Sequence, residues 1–147
     1  QSGHVYGVDI TQEMIEKAKE NVKQKNVTFL HTSFNSIPLP ENSIDCVLSN
    51  CAVNHSVDKL SVLKEVKRIL KSGGRFILSD IFAVKKIPPE ISMDKEAIAA
   101  CYGGAVLLSE MAQMAEEAGF FVFDIREKGD PYLKENVELF SATIKIM

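Results

Sequence analysis

Apolar and polar positions along this chain fall into blocks whose period changes, and each change marks an element. Residues 4–8 form a short, partly β-branched run ending at Asp9, which predicts a strand. Met14, Ile15, Ala18 and Val22 then share one helical stripe between charges, behind Thr11 as the capping residue. Residues 27–31 predict a second strand, and residues 32–43, with Pro38, Pro40 and Asn42, predict a loop at its exit. Residues 44–49 are apolar apart from Asp45, the pattern of a strand buried on both faces, so Cys46 is expected in the core.

Leu60, Leu63, Val66, Ile69 and Leu70 give residues 58–71 a 3.6-residue stripe, and Ser72-Gly73-Gly74 stops the helix before residues 75–82 alternate as a strand. The charges at Lys59, Lys64, Glu65, Lys67, Arg68 and Lys71 lie off that stripe and read as a solvated face. Beyond Asp80 a polar, proline-bearing connector leads into a helical insertion near residues 86–108, closed by Gly103-Gly104. Ser109 is expected to cap a helix reaching Ala118, with Gly119 ending it. Residues 120–127 and 137–146, separated by a turn with Gly129, Asp130 and Pro131, read as an antiparallel pair.

Strand–helix alternation closed by an antiparallel pair predicts an α/β fold, a mostly parallel sheet with helices on both faces and a C-terminal antiparallel strand. At 147 residues and 46% hydrophobic, the chain is the size of one domain with a real core. Seventeen basic residues against twenty acidic ones, without a basic stripe, argue against nucleic acid as a partner. No apolar run reaches the roughly 18 residues of a membrane span and no leader pattern is present, so a soluble, cytoplasmic protein is expected. Three cysteines, Cys46, Cys51 and Cys101, favour free thiols in a reducing compartment over a disulfide framework.

Three segments carry a resemblance. V-Y-G-V-D at residues 5–9, S-I-D-C-V-L-S-N at 43–50 and L-K-S-G-G-R at 70–75 resemble the second strand, the fourth strand and the turn into the fifth strand of class I, Rossmann-like S-adenosylmethionine-dependent methyltransferases. Within that family, S-N-C-A-V-N (49–54), S-D-I-F (79–82), P-E-I (89–91) and C-Y-G-G-A (101–105) are similar to arsenite methyltransferases. The resemblance implies S-adenosylmethionine as cofactor and trivalent arsenic as a substrate held by Cys51 and Cys101. Two departures stand out: the family uses a further cysteine upstream of its cofactor loop, and His55 occupies a position where leucine is more usual.

By the same resemblance, Asp9 accepts hydrogen bonds from the ribose hydroxyls, although an acid there also serves as part of a helix cap. Ser33 and Phe34 lie where this fold grips the adenine, with a core position as the other reading of Phe34. Asn50 and Cys51 end a strand at the carboxyl edge, where open α/β sheets place ligands. Cys51 and Cys101, taken without their flanks, are two ordinary buried cysteines; thiolates are also soft ligands suited to a thiophilic element. His55 reads as a wall residue or as a base for an oxygen acceptor, and His4 and His31 as structural.

The glycine fingerprint of such folds lies roughly 20 residues before that acid, which from Asp9 falls ahead of Gln1. The chain is therefore expected to be an incomplete, N-terminally truncated domain lacking the first strand and glycine-rich loop. Weak cofactor binding follows from that expectation, as does a homo-oligomer or a rearrangement filling the strand slot. Besides arsenic methylation, two readings stay open: methyl transfer to a small organic acceptor, and a catalytically silent metalloid-binding or assembly domain.

Overall fold

The computed structural model describes residues 3–147. The sequence reads as one domain, whereas the contacts separate into two compact units, Gln1–Leu39 and Pro40–Met147. The separation follows from the ladders: β1 (Val5–Asp9) has β2 (Val27–His31) as its hydrogen-bonded neighbour, and the remaining strands form a second sheet.

In the smaller unit β1 and β2 pair in parallel, from Val5 against Val27 to Asp9 against His31. The crossover is α1 (Gln12–Asn21), which buries Ile15 of its expected stripe. Thr11 stands at the N-cap position, but its side chain makes no capping bond; instead its own N–H donates to Oδ1 of Asp9 at 2.8 Å. His31 and His4 are structural, hydrogen-bonded to the Ile10 carbonyl and the Thr28 hydroxyl, each at 2.8 Å.

The larger unit is a sheet of order β3–β4–β7–β5, from β3 (Ile44–Asn50), β4 (Leu70–Ala83), β5 (Phe123–Lys128) and β7 (Val137–Ile146), with β6 (Tyr132–Lys134) also paired to β7. β3 and β4 are parallel, while β4, β5 and β6 are each antiparallel to β7. The C-terminal β7 is thus the one reversed strand of this sheet, as expected. β6 has no counterpart in the sequence reading: it forms a tight hairpin with β7 through Glu135 and Asn136, both at positive φ.

Three expectations need correction. β3 is not buried on both faces: Leu48 is 75% exposed and Cys46 is half-buried, because β4 is the only strand paired with β3 among the described residues. The strand after α2 (Lys59–Ile69) begins at Leu70, before the glycines: Leu70 pairs with Ile44 and Arg75 with Cys46, and the chain between bulges around Gly73 at φ 75°. The charged face of α2 is not wholly solvated, since Lys59 is buried while Lys64 lies at the surface.

The insertion holds two short helices, α3 (Pro89–Ser92) and α4 (Lys95–Ala99), and α5 (Leu108–Glu117) follows. α5 starts before Ser109, with the Glu110 carboxylate accepting from the Leu107 N–H at 3.2 Å. Ala97, Tyr102 and Ala105 of the insertion pack with Ala83, Val137 and Leu139, so the insertion sits on the ends of β4 and β7. Tyr102 is pinned there by its hydroxyl, which donates to Glu135 at 2.6 Å. No helix among the described residues is long and apolar enough to cross a membrane.

Candidate functional site

Where β3 ends, the backbone turns sharply. Cys51 takes φ 54°, its N–H donating to the Ser79 carbonyl at 2.9 Å, and a 3-10 turn follows at Val53–His55. A non-glycine residue in the left-handed region costs roughly 1 kcal/mol or more and persists where surrounding structure over-determines it. Cys101, just after α4, adopts the same conformation at φ 68°.

The turn is held from below by Asp80, 96% buried at the carboxyl end of β4. Nδ2 of Asn54 donates to Asp80 Oδ1 at 2.8 Å and to the Ile81 carbonyl at 2.7 Å, and the Asn54 N–H reaches Asp80 Oδ2 at 3.3 Å. The Ile81 N–H adds a fourth bond at 2.9 Å. Burial pushes the Asp80 carboxyl above its ordinary range, and these donors, the Cys51 thiol and the Lys59 charge pull it back.

The insertion delivers Cys101 to this turn. Its Sγ lies 3.5 Å from the Cys51 carbonyl oxygen and 3.1 Å from Nε2 of His55. Two cysteines fifty residues apart in sequence therefore share one site. The close approach depends on Gly104, where a Cβ would overlap the Asn54 carbonyl oxygen. Burial pushes the Cys51 thiol up to about 12, helped by hydrogen bonding to Cys101 and by the charge of Asp80. Cys51 is consequently a neutral thiol at physiological pH. Among the described residues no group of three or more His, Cys, Asp and Glu side chains is arranged to hold a metal ion.

Cys46, on β3, stays apart, with its Sγ 3.8 Å from the Val47 carbonyl. Asn50 is exposed at the end of β3, and its side chain takes part in none of the described hydrogen bonds. In the smaller unit, Asp9 is half-buried at the end of β1 with one carboxylate oxygen on the Thr11 N–H and the other without a described partner. One carboxylate oxygen therefore serves the turn into α1, and the other is left open. Ser33 donates its hydroxyl to Asn35 at 2.6 Å, and Phe34 is half-buried in the loop after β2. The backbone N–H groups of Ser33 and Phe34 donate in none of the described bonds.

Asp80 and Asn54 escaped the sequence reading as functional residues, although both sit inside quoted segments. A carboxylate ending an apolar strand at the sheet's carboxyl edge was the available signal. The contact of His55 with Cys101 had none, since it depends on how the insertion folds back.

Residues 1–119 match the family described as methyltransferase domain. The chain is 37% identical over 131 residues to an arsenite methyltransferase of Halobacterium salinarum, covering 87% of this chain and 34% of that protein. It is likewise 37% identical over 132 residues to an arsenite methyltransferase of Mus musculus, covering 82% of this chain and 35% of that one. It spans about a third of the length of these curated relatives. Among solved structures, an arsenic(III) S-adenosylmethionine methyltransferase from Chlamydomonas reinhardtii superposes with a TM-score of 0.83 at 25% identity, over 97% of this chain and 55% of that one. The YcgJ protein of Bacillus subtilis shares the fold, with a TM-score of 0.75 at 20% identity over 97% of this chain and 81% of that one.

Proposed function

The chain belongs to the S-adenosylmethionine-dependent methyltransferases, and from that premise we propose that it carries the acceptor site of an enzyme methylating trivalent arsenic held by Cys51 and Cys101. The observation that carries this reading is the convergence of the two cysteines, both in left-handed backbone and with Cys101 Sγ 3.5 Å from the Cys51 carbonyl.

Thiols exchange with arsenous acid by condensation: each As–S bond forms as an As–OH bond breaks, and the thiol proton leaves with the hydroxide as water. Cys51, protonated because it is buried, suits this exchange, which calls for no free thiolate in the resting site. Two sulfur ligands keep the arsenic trivalent and leave its lone pair free, so the side chains position a nucleophile and are not nucleophiles themselves. S-adenosylmethionine, when bound, supplies the methyl group from its sulfonium; Asp9, Ser33 and Phe34 would hold its ribose and adenine, and Asn50 lines the carboxyl edge beside Cys51. Free cysteines suit a reducing cytoplasm, where such thiols persist.

The test is mass spectrometry of arsenic species after the protein is incubated with arsenite, S-adenosylmethionine and a thiol. Methylated arsenic is expected with S-adenosylmethionine in large excess, as the weak cofactor binding expected of this chain requires, and it should vanish with Cys51→Ser or Cys101→Ser. Methyl transfer to an organic acceptor that survives both substitutions would sink the arsenic reading.

A further inference from the structure

The Cys101 sulfur meets the turn after β3 through two contacts, 3.5 Å to the Cys51 carbonyl oxygen and 3.1 Å to Nε2 of His55. A thiol has one hydrogen to give. A carbonyl oxygen accepts only, whereas an imidazole nitrogen donates or accepts according to its tautomer. Both contacts are hydrogen bonds together in a single arrangement: the Cys101 S–H donates to the Cys51 carbonyl, and His55 carries a hydrogen on Nε2 and donates it to the sulfur. The 3-10 turn Val53–His55 sets the ring there, with the His55 N–H donating to the Ala52 carbonyl at 3.2 Å, and the residue lies at the surface.

Arsenic capture changes that balance. As the As–S bond to Cys101 forms and an As–OH bond breaks, the thiol proton leaves in water, and the S–H···O bond to the Cys51 carbonyl leaves with it. The sulfur, now an anionic ligand, faces a carbonyl oxygen of like partial charge. Of its two contacts the Nε2–H···S bond survives, and it strengthens because its acceptor is charged. A donor on a ligand atom fixes that atom's orientation and raises the affinity of the site.

Resting on the acceptor reading above, we propose that His55 is a positioning residue whose Nε2–H holds the arsenic-bound Cys101 sulfur on the turn after β3. The ring gives up no proton in the exchange, so it acts on the equilibrium affinity for the arsenical.

Partition of phenylarsine oxide at equilibrium between the full chain and a small dithiol tests this in the wild type, His55→Leu and His55→Gln, with urea denaturation of each alongside. His55→Leu is expected to bind about tenfold more weakly, the lower end for losing a hydrogen bond to a ligand atom. Its denaturation midpoint should stay in place, because the residue is exposed. His55→Gln presents an amide N–H but cannot take up a proton, and should recover binding to within about threefold of the wild type. Affinity unchanged in His55→Leu, a loss matched by a fallen midpoint, or a loss that glutamine does not recover would each overturn the proposal and leave the acceptor reading standing. A wild-type chain that takes up no phenylarsine oxide would end the acceptor reading and this proposal with it.

Discussion

The side-chain amide of Asn54 donates to Asp80 at 2.8 Å in a place that water does not reach, tying the turn after β3 to the end of β4. Asn54→Ala strips that donor from a buried carboxylate, and the expected loss is about 2 kcal/mol of unfolding free energy, measured by urea denaturation at neutral pH. The loss stays modest because alanine also removes Asn54 Oδ1, a buried acceptor with no partner among the described residues.

The sign with pH follows from Asp80. Its folded pKa is raised above 3.8, chiefly by burial, so whatever stability its proton confers is present at acid pH and lost as pH rises through the folded value. Asn54→Ala removes a donor that favours the charged form and raises that value further. The penalty of the substitution should therefore shrink as pH falls from neutrality toward the carboxylate range. A penalty that grows on acidification would contradict this account of the pair.

Cys51 should be slow to alkylate. With its thiol pushed up to about 12, the thiolate fraction rises tenfold per pH unit through neutrality and beyond, with no plateau in the ordinary working range. Iodoacetamide rates at Cys51, followed by peptide mass spectrometry between about pH 7 and 10 in a Cys46→Ser, Cys101→Ser background, should show that slope. Removing Cys101 takes away two of the secondary causes, its hydrogen bond and its charge, but leaves burial, the largest. An inflection below pH 9 would show a thiol far more acidic than its surroundings allow.

Gly104 offers a test of how the insertion seats. Gly104→Ala forces a methyl group into the Asn54 carbonyl oxygen, so the backbone must shift where Cys101 approaches the turn. Overpacking of this kind typically costs about 1–3 kcal/mol. Affinity for phenylarsine oxide should fall at least about tenfold, since a displacement near 1 Å spoils a two-sulfur grip. Gly103→Ala meets the backbone of Ala97 and Ile98 instead, and serves as a comparison for lost stability alone.

Periodicity made the strands and long helices legible because it reports which face is buried: the stripe of Leu63, Val66 and Ile69 became the buried side of α2. It misjudged β3, since an apolar run signals two-sided burial only when both flanks are paired and covered, and Leu48 is not covered. Lys59 was misread because its charge was taken for exposure: Val62, Leu63 and Val66 are its i+3, i+4 and i+7 neighbours, so by count it begins the buried stripe. Cys51 and Cys101 were legible through their flanking residues. Their proximity, the partnership of Cys101 with His55 and the Asp80–Asn54 tie were not, because each depends on contacts between residues 26 to 50 positions apart. The hairpin of β6 was missed because Tyr132–Lys134 is too short to show alternation, although Glu135-Asn136 is a plausible positive-φ turn pair.

The central claim, that Cys51 and Cys101 together form the acceptor site for trivalent arsenic, is tested most directly by native mass spectrometry with phenylarsine oxide, which bridges paired thiols. One arsenical per chain is expected, retained in Cys46→Ser and lost in both Cys51→Ser and Cys101→Ser. Retention in either of those two variants, or loss in Cys46→Ser, would contradict the claim.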